Sequence, residues 1–485
     1  MWVGHSCPTF WFLRHQIRSA YDNGQKMKSR AQMFLLFIMC LLPLAGIGQV
    51  STLDDRYKAD ILVVVAHPDD DTVVSSYLAR AVYDQHKRIA VVYCTRGDSG
   101  SNSTGREHAK ALGLVREIEG RKALGRLGIT NVWFLDGRDT ASQDVLLSLA
   151  TWPSASVLEQ VVRIVRLTRP DVVFTWLPSS VAGENHGDHQ AAGVTATEAF
   201  DLAGDPNAFP SQLVAPIRQF ENAFEGLSPW QPQKLYYFTD AFEAAFFKGH
   251  GPEYDGSQTS PSRKASYLQL AAESAAAYHT QLPDPKIGRR IEGGDTSASA
   301  IGDLQKAGYL PEPVRLWLGK SHVASAATED VFQGVSSTPI AFAPPERLPA
   351  RTLGTVDVEF GGPFGFYRNF WQAHELKSLE TLRPEIAVEP RDTLTIPVVI
   401  ANSSDAPVEV NVSAELPPGW VPASAMPATS VSPHSQSTVL VRSIAPAQLS
   451  TNFAEVKIRA ESQRKIVFQG SVFAQVSASV AGQVK

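Results

Sequence analysis

Two short segments hold the residues with the most chemistry to offer. The aliphatic run Ile61 to Val65 stops at Ala66-His67-Pro68-Asp69-Asp70-Asp71, so an imidazole and three carboxylates follow directly on an apolar stretch. Far downstream, His186-Gly187-Asp188-His189 puts two more imidazoles and a carboxylate side by side. His67 and Asp70 are three residues apart across a turn stiffened by Pro68, a spacing that lets both side chains face one centre. A neutral imidazole and a carboxylate suit zinc, and would also accept iron or manganese. With His189 as a third donor, a coordination position stays open for water, the mark of a catalytic rather than a structural zinc site. Zinc lowers the pKa of such a water to about 7. A further carboxylate must then take its proton; Asp69 is adjacent to Asp70 yet points elsewhere. His186, if protonated, can stabilise the oxyanion of a tetrahedral intermediate or give a proton to a leaving amine. Taken singly, each motif reads equally well as an Asp-rich turn or a solvated loop. Both falling at strand ends of one domain is what favours a site.

Those residues need elements that present them. Ile61–Val65 reads as a buried parallel strand, and ligand sites in open α/β sheets form at the carboxyl ends of strands. Thr72–Gln85 begins with a cap-like threonine and reads as a helix. Ile89–Thr95 is a second strand, followed by a polar, glycine-containing loop from Gly97 to Asn102. Leu114–Leu127 is a helix that Gly128 stops. Val132–Leu135 is a third strand, Val157–Thr168 an amphipathic helix ended by Arg169-Pro170, and Val172–Trp176 a fourth strand just upstream of the His186 motif. Lys264–Thr280 is a late alanine-rich helix. The alternation predicts an α/β domain with a mostly parallel sheet and helices on both faces.

The ordered motifs resemble the PIG-L/LmbE-like family of zinc-dependent deacetylases of N-acetylated sugars. The resemblance spans residues 58 to 285. Ala66-His67-Pro68-Asp69-Asp70 corresponds to the first family motif and His186-Gly187-Asp188-His189 to the second. Thr95-Arg96-Gly97-Asp98, the helix residues Arg116, Glu119, Ala123 and Leu127-Gly128, and Leu135-Asp136-Gly137-Arg138-Asp139 correspond to the segments between. The resemblance implies a Rossmann-like sheet, with His67, Asp70 and His189 as zinc ligands and Asp69 as the base that activates water. It further implies His186 as the residue assisting the tetrahedral intermediate, Asp188 as the group orienting a neighbouring histidine, and Arg116 as a substrate contact. An ion pair of Arg116 with Glu119 or Glu117 is the competing reading. The chain departs from the family in having Asp71 where a glutamate is usual and Gly187 where a proline is frequent. The implied substrate is an N-acetylamino sugar or its conjugate. A metal-dependent amidase acting on a non-sugar amide, a non-catalytic carbohydrate-binding protein of the same fold and a mainly structural envelope protein are the alternatives.

At 485 residues the chain needs two or three domains. With 44% hydrophobic and 19% charged residues and a net charge of −5, it is an ordinary globular composition that predicts no nucleic-acid partner and no polybasic membrane contact. Residues 1–49 read as an upstream segment and signal peptide. Met27-Lys28-Ser29-Arg30 is basic, Phe34 to Leu44 is apolar but short for a span, and Ala45, Gly46 and Gly48 are small. Translation starting at Met27 and export to the periplasm or exterior are the expectations, and no later segment is long and apolar enough to cross a bilayer. Cys7 and Cys40 lie in that segment, leaving Cys94 as a lone buried strand thiol. Residues 50–290 form the expected catalytic domain. Residues 291–378, rich in Gly, Pro and Ser with isolated aromatics, read as an irregular linker. Residues 379–485 read as an all-β immunoglobulin-like sandwich built from short strands such as Thr393–Ile400 and Lys465–Val476. This part resembles modules appended to secreted carbohydrate enzymes, through Pro417-Pro418-Gly419-Trp420.

Overall fold

The computed structural model describes residues 55–477 apart from 153, 181–185, 217–224, 242–243, 346–353 and 426–427. The expected signal segment, with Met27, Cys7 and Cys40, lies outside the described residues. Five parallel strands, Ile61–Val65 (β1), Ile89–Tyr93 (β2), Asn131–Phe134 (β3), Val172–Trp176 (β4) and Lys234–Phe238 (β5), are joined by an antiparallel edge strand, Trp317–Ser321 (β6). Their spatial order is β3-β2-β1-β4-β5-β6. Every residue of β1, β2, β4 and β5 is buried, as continuous runs of β-branched and aromatic residues require when both faces are covered.

Helices supply that cover. Ser75–Tyr83 (α1), Lys110–Arg126 (α2) and the later Tyr267–Ala275 (α6) pack together, while Val145–Thr151 (α3), Ser154–Thr168 (α4) and Gly187–Leu202 (α5) form a second group. From β1 the chain runs outward to β2 and β3 on one side and, after crossing over, to β4 and β5 on the other. The carboxyl ends of β1 and β4 therefore flank a switch point, where open α/β sheets hold their ligands. His67 lies just beyond β1, and His186 caps the start of α5, which follows β4. Cys94, next to β2, is a fully buried free thiol. Two helix starts differ from expectation. A 3-10 turn, Asp70–Val73, precedes α1, and α2 begins at Lys110 rather than Leu114.

The stretch expected as a linker belongs to the folded body. Pro285–Glu292 (α7) and Ala298–Lys306 (α8) build a small core with α6 from Ala271, Ala275, Leu282, Ile291, Ile301 and Leu304. Trp317, buried in β6, completes the main sheet. The sandwich starts earlier than 379. Val356–Phe360 (β7) pairs antiparallel with Thr393–Asn402 (β9), and Gly362–Ala373 (α9) follows it at once.

The sandwich continues with Glu385–Val388 (β8), Val408–Glu415 (β10), Val421–Pro422 (β11), Thr429–Val431 (β12), Ser435–Ile444 (β13), Ala454–Ser462 (β14) and Lys465–Val476 (β15). One sheet runs β8-β15-β14-β10-β12 and the other β11-β13-β9-β7. Alternation orients β9: Leu394, Ile396, Val398 and Ile400 enter the core, while Thr393 and Thr395 face solvent. Helix α9 ties this module to the catalytic domain. Tyr367 donates its hydroxyl to Gln190 of α5 at 2.5 Å, Trp371 donates Nε1 to the Pro178 carbonyl at 2.9 Å, and the His374 ring meets Asp201 at 2.7 Å. Among the described residues no single helix is long and apolar enough to cross a membrane.

Candidate metal centre and its catalytic groups

The turn after β1 is closed by its own carboxylate. Asp70 Oδ2 accepts the backbone N–H groups of Ala66 and His67, each at 2.9 Å, and the indole N–H of Trp176 at 2.7 Å. These three donors lock the Asp70 side chain, leaving Oδ1 turned to the histidines: 3.6 Å from His67 Nδ1 and 3.2 Å from His189 Nε2. His67 Nδ1 and His189 Nε2 are 3.1 Å apart. Donors bound to a tetrahedral zinc at about 2.0–2.2 Å stand about 3.3–3.5 Å from one another. Two imidazole nitrogens and a carboxylate oxygen in a triangle of that size fit such a cation, and the same donor set suits other divalent transition metals.

The surroundings hold these rings in place. His67 turns its other nitrogen, Nε2, toward Asp139 Oδ1 at 3.1 Å and toward Asp188 Oδ2 at 3.5 Å. Asp139 also accepts the Ser99 N–H at 2.6 Å, and Asp188 accepts the N–H and the hydroxyl of Thr140, both at 2.8 Å. A carboxylate on the far nitrogen of a ligating imidazole fixes its tautomer and increases its basicity. Asp188 therefore stands beside His67, but Asp139 is the nearer partner. Trp176 stacks flat on His189 with centroids 4.1 Å apart and planes 5° from parallel, so one indole positions two of the three donors. Replacing Trp176 with Phe keeps the stacking face and removes the bond to Asp70; a roughly 10- to 100-fold loss of metal affinity is expected, measured by competition with a chelating dye.

Electrostatics match a cation site. Burial opposes charge on His67, but the Asp139 and Asp70 carboxylates outweigh it and hold the ring well above the ordinary histidine range. Burial likewise raises Asp70, yet His189 and His67 pull it well below the usual carboxylate range. The excess of carboxylates is balanced by a proton on an imidazole or by a metal in its place. Asp69 differs from its neighbour: burial, with Asp70 beside it, raises its carboxyl to about 7. Its backbone sits at φ 114°, a conformation that L residues rarely adopt. It accepts a hydrogen bond from the Tyr309 hydroxyl at 2.8 Å.

His186, given a role above on condition of protonation, lies in surroundings that disfavour its charged form. Burial, and then the charge of His67 and His189, push it well below the ordinary histidine range. Its Nδ1 accepts the Asp188 N–H at 3.1 Å as the cap of α5, so the single proton of the neutral ring is on Nε2. It is a neutral donor, packed 4.6 Å from the His67 ring and 4.9 Å from the His189 ring. Gly187 between them is required by space and by bonding. A Cβ there would lie 2.6 Å from Ser148 Oγ and 2.8 Å from the Asp144 carbonyl, and its N–H, which proline lacks, donates to Ser142 at 2.7 Å.

Arg116 is buried on α2 and donates Nη1 to the Gly97 carbonyl at 2.6 Å and Nη2 to the Ser101 carbonyl at 2.9 Å. It thus braces the loop that carries Ser99. The alternative surface ion pair is not formed: Glu119 accepts from Thr280 and Glu117 pairs with Arg96 and Arg121. Asp71, one residue past the ligand, accepts the hydroxyls of Tyr93 at 2.7 Å and Tyr278 at 2.5 Å, and burial raises its carboxyl to about 6.

Residues 62–200 match the family described as PIG-L: GlcNAc-PI de-N-acetylase. A 1D-myo-inositol 2-acetamido-2-deoxy-alpha-D-glucopyranoside deacetylase of Thermobifida fusca is 26% identical over 191 residues, 36% of this chain and 60% of that protein. A protein of the same name from Streptomyces scabiei is 33% identical over 172 residues, 32% of this chain and 52% of that one. The diacetylchitobiose deacetylase of Thermococcus kodakarensis is 26% identical over 183 residues, 37% and 62% of the two chains. The chain thus spans a little over half the length of these relatives. A Rossmann-like sheet carrying a His-Asp-His triangle at its switch point defines the class of domain, and residues 62–200 within it match the PIG-L family.

Proposed function

We propose that this protein is a zinc-dependent deacetylase that hydrolyses the acetamide of an N-acetylamino sugar or glycoconjugate. The observation that carries the reading is the triangle of His67, Asp70 and His189 donors, with the adjacent Asp69 carboxyl outside it and held by Tyr309. The relatives' names support the substrate class. A divalent cation held by those three side chains supplies Lewis acidity, polarising the acetamide carbonyl and acidifying water. Asp69 accepts the proton of the attacking water as its oxygen bonds to the acetyl carbon. The Nε2–H of His186 donates to the oxyanion that develops on the former carbonyl oxygen. As the carbon–nitrogen bond breaks, the proton held on the Asp69 carboxyl goes to the departing nitrogen. Acetate and a free amine result, and Asp69 returns to its starting form.

The test is acetate and primary-amine release from a panel of N-acetyl sugars, their conjugates and simple acetamides, with metal analysis of the same preparation. Equimolar acetate and amine from an amino sugar, with about one zinc per chain, is expected; a metal-loaded protein inert on the whole panel overturns the reading, and turnover of simple acetamides alone moves it to a non-sugar amide. We also propose export, supported by the basic and apolar segments between Met27 and Leu44. N-terminal sequencing of the protein from separated cell fractions tests this.

A further inference from the structure

Three side chains from the segment between Tyr278 and Tyr309 close on the turn after β1. Tyr278 donates to Asp71, Gln281 donates its amide to the Pro68 carbonyl, and Tyr309 donates to Asp69 at 2.8 Å. The last of these reaches the residue to which hydrolysis assigns the proton, across 240 residues of sequence.

Asp69 needs such a partner. Its side chain caps no backbone N–H of the 3-10 turn it precedes, and its backbone is in a disfavoured region. The local turn therefore determines which way the side chain leaves the backbone, but not how its carboxylate is rotated. Tyr309 is suited to set that rotation. It is 3% exposed and packs in the small core of α6, α7 and α8. Its backbone N–H donates to the Leu304 carbonyl at 3.1 Å. The residues after it are anchored as firmly. Leu310 accepts from Gln305 at 3.2 Å, and Glu312 accepts from Ser76 at 2.7 Å and from the Gly256 N–H at 2.8 Å. The phenol is thus delivered by a fixed scaffold. Burial and the facing Asp69 carboxylate push it well above its ordinary range, so it acts as a donor.

We propose that Tyr309 is a positioning residue for hydrolysis: its hydroxyl occupies Asp69 Oδ2 and leaves Oδ1 facing the attacking water. The inference rests on the deacetylase reading. It also gives the helical segment from Tyr267 to Glu312 a task, since that segment aims the proton acceptor as well as covering the sheet.

The test is Tyr309→Phe, which keeps the ring and its packing. A hydrogen bond to a charged group corresponds to about a ten- to hundredfold change. We expect kcat to fall by about that factor, with KM within about twofold, metal content unchanged and the unfolding midpoint close to wild type. In an Asp69→Ala background the same substitution should cause little further loss, because the group it acts through is gone. Crystal structures of the single variant should show the Asp69 carboxylate rotated from its wild-type position, a readout that needs no turnover. Unchanged kcat, a loss confined to KM, or a full additional loss in the Asp69→Ala background overturns the proposal. If the wild-type protein releases no acetate from any substrate, the deacetylase reading fails, and an unmoved Asp69 carboxylate in the variant separately counts against the positioning role.

Discussion

Asp69→Ala is expected to lower kcat by about a hundred- to ten-thousandfold, the range for loss of a positioned general base, while zinc stays bound. The two halves of this expectation have separate grounds. Catalysis falls because Asp69 is the carboxylate beside the triangle that is not locked by backbone donors; Asp70 spends one oxygen on three N–H groups and turns the other to the histidines. Metal stays because the three donors are His67, Asp70 and His189, and Asp69 contributes no side to their triangle. The pH profile adds a sign. Asp69 must be unprotonated to accept a proton, and burial with Asp70 alongside raises its carboxyl to about 7. Activity is therefore lost as pH falls through that region rather than near pH 4, and a bound cation nearby moves the midpoint lower. In the Ala variant the residual rate should lack that acid limb. Loss of zinc with the substitution, or turnover close to wild type, contradicts the role given to Asp69.

What the sequence made legible follows from distance along the chain. The pairing of His67 with Asp70 is local, three residues across a proline turn, and β1 announces itself by five consecutive aliphatics. The second motif is just as compact, and only its meeting with the first needed the fold. The supporting residues are another matter. Asp139 reaches His67 across 72 residues and Tyr309 reaches Asp69 across 240, and no spacing rule links positions so far apart. Trp176 ends a strand that reads as ordinary core; nothing in its neighbours signals an indole whose N–H binds a ligand carboxylate. The misplaced linker has a similar cause. Helices α7 and α8 run eight and nine residues, too short for periodicity to stand out against the glycine and proline around them. The charge of His186 was beyond sequence reasoning altogether, because it depends first on the ring's burial and then on two other imidazoles lying within 5 Å of it.

Asp70→Asn should be still more damaging than the loss of Asp69, although it changes a single atom type. Asp70 Oδ2 accepts three hydrogen bonds and Oδ1 faces two ring nitrogens across 3.2 and 3.6 Å. An amide must put its NH2 group on one side or the other. On the Oδ2 side it opposes the N–H groups of Ala66, His67 and Trp176, leaving buried donors without an acceptor at about 1–3 kcal/mol each. On the Oδ1 side it places a donor where a cation needs a lone pair. Neither orientation serves both tasks, so zinc binding should fall below detection by metal analysis and hydrolysis to background. A thermal comparison separates the metal effect from simple unfolding. A cation that binds only the folded state stabilises it by mass action, so adding zinc to metal-stripped wild type should raise its unfolding midpoint. The same addition should leave Asp70→Asn unmoved, even if the variant begins from a lower midpoint. Chelation should abolish wild-type turnover and zinc should restore it, with affinity weakening as pH is lowered because the imidazole ligands must be unprotonated. An Asp70→Asn protein that retains stoichiometric zinc would show that the ion is held elsewhere, and the triangle would lose its claim to be the metal centre.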